Sequence, residues 1–165
     1  MKDRQTFLAF DLGATSGRGV AGSIEDERLV VKEVYRFANE PVRVFNGYYR
    51  DVLHHFIEMK RFLTVASREY GDHIRTIGID TAGVAYALLD ADGMLIENPG
   101  NYTHNRIEGM DKRVFELMPR EEIFEHTGAL SSGNAIYQLF SLVYHKSPIL
   151  NLVKTFVMMP GLFTY

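Results

Sequence analysis

The 165-residue chain is 46% apolar and carries 21 acidic against 18 basic side chains, a formal net charge of -3, with no cysteine and no tryptophan. A domain of that size buries about 70% of its unfolded surface, so the composition describes an ordinary soluble domain that needs no staple. The missing thiols exclude cysteine nucleophiles, Cys-type zinc or iron–sulfur sites and a secreted disulfide scaffold. The small net charge, with Lys and Arg scattered, argues against a nucleic-acid or membrane-surface footprint. No apolar run approaches the ~18 residues of a membrane span. The opening Met-Lys-Asp-Arg-Gln lacks a signal-peptide core, and the absence of cysteine makes a reducing, cytoplasmic location the expectation.

In chain order, Phe7-Leu8-Ala9-Phe10 reads as a buried strand closed by the turn-prone Asp11-Leu12-Gly13-Ala14-Thr15-Ser16-Gly17. Residues 18–24 and 28–37 read as two more strands around the polar turn Glu25-Asp26-Glu27, which makes an antiparallel three-strand meander. Residues 38–50 read as loop, with Asn39, Pro41, Asn46 and Gly47 as breakers. Asp51 is placed to cap a helix whose apolar face is Val52, Phe56, Met59 and Leu63 and whose stop is Gly71. Thr76-Ile77-Gly78-Ile79 and residues 84–89 read as strands joined at Asp80-Thr81-Ala82-Gly83, and Asp90-Ala91-Asp92-Gly93 turns the chain into a short partner, Met94-Leu95-Ile96. Helices are expected over 105–118 and 134–147, with Pro119 and Gly128 interrupting between them. A last strand over 154–159 should stop at Pro160-Gly161. Antiparallel strands followed by strands alternating with helices indicate an α/β domain with a mixed sheet.

Gly17-Arg18-Gly19-Val20-Ala21-Gly22 spells G-x-G-x-x-G, but its glycines run into a strand pattern and no helix follows, so the dinucleotide reading is rejected. A more informative unit is Asp11 to Arg18. An acidic residue at a strand end precedes small residues whose backbone N–H groups, with the hydroxyls of Thr15 and Ser16 and the Arg18 fork, can hold a phosphate. Asp11 can reach Mg²⁺ through water, since Mg²⁺ takes one or two carboxylates and keeps several waters. A plain hairpin turn uses the same residues, and both readings stand. Asp80 and Thr81 lie at a second strand end, where α/β sheets place ligands, and a capped turn is again the alternative. The six histidines show no ligand spacing; His54 and His55 are adjacent on a helix and point different ways.

Several segments together resemble the FGGY carbohydrate kinases, and within them the rhamnulokinases. They are the run from Ala9 to Arg18, Arg36-Phe37-Ala38-Asn39, Ile77-Gly78-Ile79-Asp80-Thr81 with Gly83-Val84, Leu88-Leu89-Asp90, Asn134-Ala135-Ile136-Tyr137-Gln138-Leu139, and Met159-Pro160-Gly161-Leu162-Phe163-Thr164-Tyr165. The resemblance implies an α/β, ribonuclease-H-like domain of the actin/hexokinase type, with residues 1–165 forming a single, incomplete N-terminal domain. The implied reaction is ATP-dependent phosphorylation of L-rhamnulose to L-rhamnulose 1-phosphate, with ATP and Mg²⁺ as cofactors. On the matching positions, Gly13 to Arg18 (Gly13, Ala14, Thr15, Ser16, Gly17 and Arg18) would cradle the ATP phosphates, Asp11 would serve Mg²⁺, and Gly83, with Asp80 and Thr81, would meet the sugar.

The chain departs from that pattern on the sugar side. Ala82 and Ala85 stand where the family has Trp and Asp, Arg50 where it has Trp, and His104 where it has an acid. Family members are also roughly three times as long, so the general base and the second domain are expected downstream of Tyr165 and no catalytic residue is assigned within this chain. Two functional readings follow: a kinase half-site inactive by itself, or an engineered or degenerate scaffold that keeps the fold and self-associates. Apolar surface at the presumed inter-domain face leads to the expectation of a homodimer or larger oligomer.

Overall fold

The computed structural model describes residues 5–45, 47–131 and 133–165. The opening Met-Lys-Asp-Arg and the breaker Asn46 lie outside the described residues. The chain divides into two compact units, Met1–Glu40 with Asp51–Ala82 and Pro160–Tyr165, and Pro41–Arg50 with Gly83–Met159. Among the described residues no helix is long and apolar enough to cross a membrane.

In the first unit, β1 (Thr6–Leu12), β2 (Ser16–Glu25) and β3 (Arg28–Ala38) form the expected meander. β6 (Ile74–Thr81) then joins β1 in parallel, giving a mixed sheet of order β3-β2-β1-β6. Helix α1 (Val52–Tyr70) covers one face. Asp51 caps it by accepting a hydrogen bond from the His54 N–H at 3.0 Å, and Gly71, with φ of 49°, ends it. The core joins Leu8, Phe10 and Leu12 of β1 and Ala21 of β2 to Met59, Phe62 and Ala66 of α1. A Cβ on Gly19 would stand 2.1 Å from the Phe62 ring, so only glycine lets helix and sheet approach this closely.

The expected face of α1 is corrected. Phe56 and Leu63 are 46% and 39% exposed, whereas His55 and Glu58 are buried beside Val52, Met59, Phe62 and Ala66. Each polar group has a partner inside the fold, His55 Nε2 with Asn39 and Glu58 with the Tyr35 hydroxyl at 2.5 Å, so the helix is turned toward them. The Tyr35 phenol is pushed up by its bond to that carboxylate, and further by burial.

In the second unit, residues read as loop contain a hairpin, β4 (Val42–Val44) and β5 (Gly47–Tyr49). The strand expected over 84–89 is the shorter β7 (Tyr86–Leu89), which pairs antiparallel with β8 (Thr155–Met158) in a separate two-stranded sheet. The partner expected at Met94-Leu95-Ile96 is reduced to a single bridge, Leu89 to Leu95. In place of one helix over 105–118, a short 3₁₀ turn (Asn105–Ile107) precedes α2 (Met110–Phe115). Pro119 and Gly128 bracket a helix, α3 (Arg120–Thr127), as its N-cap and its left-handed C-cap. Helix α4 (Ala135–Tyr144) is as expected but shorter. β8 ends at Met158, just before Pro160-Gly161 as expected, and the chain turns there into a short helix, α5 (Met159–Thr164), whose residues from Pro160 on belong to the first unit; proline fits a first helical turn, where its missing N–H has no intrahelical acceptor. Ile107, Met110, Val114, Ile123 and Tyr137 form one core of this unit, and Tyr86, Leu88 and Leu142 another.

Candidate active site

The first unit assembles most of the positions singled out from the sequence. β1 and β6 are parallel, so their carboxyl ends lie side by side, and the register sets Asp11 against Asp80 and Leu12 against Thr81. Neighbouring strands are about 4.8 Å apart, so both aspartates stand on the same sheet face at adjacent positions. On the other side of β1, Asp11 is opposite Arg18 of β2, and the Arg18 guanidinium ion-pairs with its carboxylate. Arg18 is thus held on the sheet face by Asp11 rather than in the bend of the turn. The Asp11 side chain remains 29% exposed and that of Arg18 46%, which leaves the pair accessible from solvent.

Between Asp11 and Arg18 the chain makes its tight turn, and the segment leaving β3 holds it from outside. The Asn39 N–H donates to the Thr15 carbonyl at 2.9 Å, and its side-chain Nδ2 donates to the Gly13 carbonyl at 2.7 Å. Arg36 Nη1 donates to Ser16 Oγ at 3.3 Å. The Phe37 ring packs against Gly17, where an added Cβ would be 2.0 Å from a ring carbon. At Gly13 a Cβ would stand 3.0 Å from the Ser16 carbonyl oxygen, so a side chain there would press on the bend.

A trans peptide is planar, with its C=O and N–H on opposite edges. Because Asn39 takes the carbonyls of Gly13 and Thr15, the opposite edges, carrying the N–H groups of Ala14 and Ser16, face away from Asn39. Such an array of small residues suits a bound anion. Two carboxylates at one sheet edge are the oxygen donors a hard divalent cation selects. The residues present therefore fit both a phosphate chain and Mg²⁺.

Asp80 is exposed and Thr81 half-buried; the Thr81 hydroxyl donates to the Ala82 carbonyl at 3.4 Å. Gly83 opens the second unit, and a Cβ there would meet nothing within 4 Å. Of the positions that depart from the kinase pattern, Arg50 and His104 are both built into the second unit. Arg50 is 5% exposed, its N–H donates to the Pro99 carbonyl at 2.8 Å, and burial pulls its guanidinium below the usual value. His104 accepts the Arg106 N–H on Nδ1 at 3.1 Å and meets the Tyr49 ring edge-on. Sequence reasoning missed Asn39 and His55 as parts of the site. The signal available was Asn39 in a run of breakers and a histidine amid the apolar positions of a helix, neither of which reveals its partner.

No protein-family model matches the chain. The rhamnulokinase of Bacteroides thetaiotaomicron is 34% identical over 98% of this chain and 33% of its own length. That of Oceanobacillus iheyensis is 30% identical over 95% of the chain and again 33% of its own length. The crystal structure of gluconate kinase from Lactobacillus acidophilus superposes with a TM-score of 0.79 at 15% identity, over 94% of this chain and 31% of that one. The fold is accordingly the ribonuclease-H-like, actin/hexokinase type with a mixed sheet. Along nearly its whole length the chain is similar to the rhamnulokinases, and it spans about a third of the length of those it matches.

Proposed function

We propose that this chain is the phosphate-holding portion of a sugar kinase, the N-terminal domain of an enzyme that transfers a phosphoryl group from ATP to the 1-hydroxyl of L-rhamnulose. One observation carries the reading: the braced turn between Asp11 and Arg18 sits at the carboxyl end of the parallel β1–β6 pair, with Asp80 in register beside Asp11. Open α/β sheets bind ligands at that edge. In this reading the N–H groups of Ala14 and Ser16 face the phosphates, while Asp11 and Asp80 hold Mg²⁺, Asp11 through water. The metal would neutralise charge on the transferring group. Arg18 fixes the orientation of the Asp11 carboxylate. The sugar identity, with Gly83 and Thr81 as its contacts, rests on the similarity to the rhamnulokinases.

The chain spans a third of those relatives, and a kinase needs both a carboxylate base and a water-excluding closure. We therefore expect the 165 residues to bind Mg·ATP without turning over L-rhamnulose. Isothermal titration should give saturable Mg·ATP binding that is lost in Asp11→Asn combined with Asp80→Asn. Binding unchanged in that double variant, or rhamnulose phosphorylation by the chain alone, refutes the reading.

A second reading, a non-catalytic self-associating scaffold, is favoured by the apolar side chains on β2 and β3. Ile24, Leu29 and Val31 are 62%, 68% and 59% exposed, and surfaces of that kind seek partners. Light scattering at micromolar concentration tests it: an oligomer that binds no Mg·ATP supports the scaffold, and a monomer refutes it.

A further inference from the structure

We infer that Asn39 and His55 are positioning residues that hold the turn from Gly13 to Gly17 in its anion-receiving shape without touching the anion, an inference that rests on the phosphate-turn reading above. Both side chains are buried, Asn39 at 3% and His55 at 2% exposure. The amide of Asn39 has one orientation open to it. Its Nδ2 donates to the Gly13 carbonyl at 2.7 Å, so its Oδ1 is the atom that meets His55 Nε2 at 2.6 Å. An amide oxygen only accepts, so His55 must carry a proton on Nε2 and donate it. His55 thus orients Asn39, and Asn39 grips two carbonyls of the turn, one through its side chain and one, Thr15, through its backbone N–H at 2.9 Å.

The pair is itself fixed from behind. The His55 ring packs edge-on against Phe163 at 6.0 Å between centroids, and α1, which carries it, is anchored to the sheet by Phe62. The arrangement runs from the helix through a buried imidazole and a buried amide to the two peptides whose opposite edges, carrying the N–H groups of Ala14 and Ser16, face away from Asn39. Preorganising such donors lowers the cost of ordering them when a ligand arrives. Removing a link lets the peptides rotate, and the turn then has to be ordered at the moment of binding.

The test compares the 165-residue chain with Asn39→Ala, His55→Phe and His55→Gln. Phe keeps a ring of similar size and loses the donor; Gln loses the ring but places an N–H donor near the position of Nε2. The reporters are exchange protection of the backbone amide at position 39, whose acceptor is the Thr15 carbonyl, and Mg·ATP affinity by titration calorimetry. One lost hydrogen bond corresponds to roughly a five- to tenfold effect. In Asn39→Ala and His55→Phe both readouts should fall by that factor, and in His55→Gln both should stay within about threefold of the parent. A purely packing role for His55 gives the reverse order, with Phe tolerated and Gln impaired, and that order overturns the inference. Unchanged protection in Asn39→Ala overturns it as well. If the parent chain binds no Mg·ATP, the phosphate-turn reading fails, and protection at position 39 decides the brace by itself. Should a variant fail to fold, the imidazole ¹⁵N spectrum of the parent decides: an Nε2–H tautomer supports the pair, and an Nδ1–H tautomer overturns it.

Discussion

Two turns leave the carboxyl ends of adjacent parallel strands, and they are built differently. The turn after β1 is clasped by four consecutive residues of another segment: Arg36 on Ser16, Phe37 on Gly17, and Asn39 on Gly13 and Thr15, with Ala38 opposite Ser16 in the β2–β3 ladder. After β6, the one hydrogen bond from the Asp80 and Thr81 side chains among the described residues is the 3.4 Å contact to the Ala82 carbonyl, and Gly83 has open space where a Cβ would go. A strand end offers a place for chemistry, but the geometry of a site has to be imposed from elsewhere in the chain. Among the described residues, the first turn has that support from within its own unit.

The sharpest way to break this contrast is to put one methyl group at each glycine. In Gly17→Ala the new Cβ collides with the Phe37 ring, which cannot slide aside because it stacks on Phe10 at 5.8 Å and takes the edge of His54 at 5.7 Å. Overpacking of this kind costs about 1–3 kcal/mol, whereas Gly83→Ala should stay within about 0.5 kcal/mol of the parent. Urea unfolding monitored by circular dichroism measures both. Equal effects at the two positions would erase the distinction between a clasped turn and an open one.

A smaller effect separates support given by α1 from support within the β3 exit. Asp51→Ala removes the cap that satisfies the His54 N–H at the start of the helix carrying His55. Loss of such a cap costs about 1 kcal/mol. The unfolding midpoint should fall by the corresponding amount with an unchanged slope, since the same surface is exposed on unfolding. A clasp that depends on α1 should also show weaker exchange protection at the Asn39 amide, whereas a clasp confined to the β3 exit should leave that protection at the parent level relative to global stability.

The same contrast explains which parts were legible beforehand. The meander was readable because Phe7 to Phe10 is a buried run followed by a recognisable turn, and α1 because its cap and stop residues flank a periodic stretch. The β4–β5 hairpin was not, since strands of three residues placed among Pro41 and Gly47 present more turn signal than alternation. Pro119 and Gly128 read in the sequence as breaks although they are the two ends of α3, because a residue that ends one helix can equally begin the next. In the site, Asp11 to Arg18 was legible from local chemistry. Asn39 and His55 were not, because each acquires its role through a hydrogen bond to a residue far along the chain, 26 positions for Asn39 to Gly13 and 16 for His55 to Asn39. The buried face of α1 was misjudged for the same reason: hydrophobic periodicity does not see a polar side chain whose partner comes from another strand.

The comparison extends, with the smallest expected effect, to the half-buried His104 in the second unit. Where His55 gives a proton to a side chain, His104 takes one from the backbone: its Nδ1 accepts the Arg106 N–H at 3.1 Å. Burial, and then the Arg106 charge, lower its pKa from the usual 6.5. A histidine depressed in the folded state binds fewer protons there than in the unfolded chain, so the stability it contributes is present above pH 6.5 and is lost as pH falls through the folded value. Protonation would also convert the accepting Nδ1 into a donor facing a donor. Unfolding free energy measured by urea titration should therefore decline below pH 6.5, and His104→Asn, which keeps an acceptor but does not titrate, should flatten that decline. If the parent and His104→Asn lose stability in parallel over that range, the acid sensitivity lies elsewhere and the two histidines do not divide as donor and acceptor.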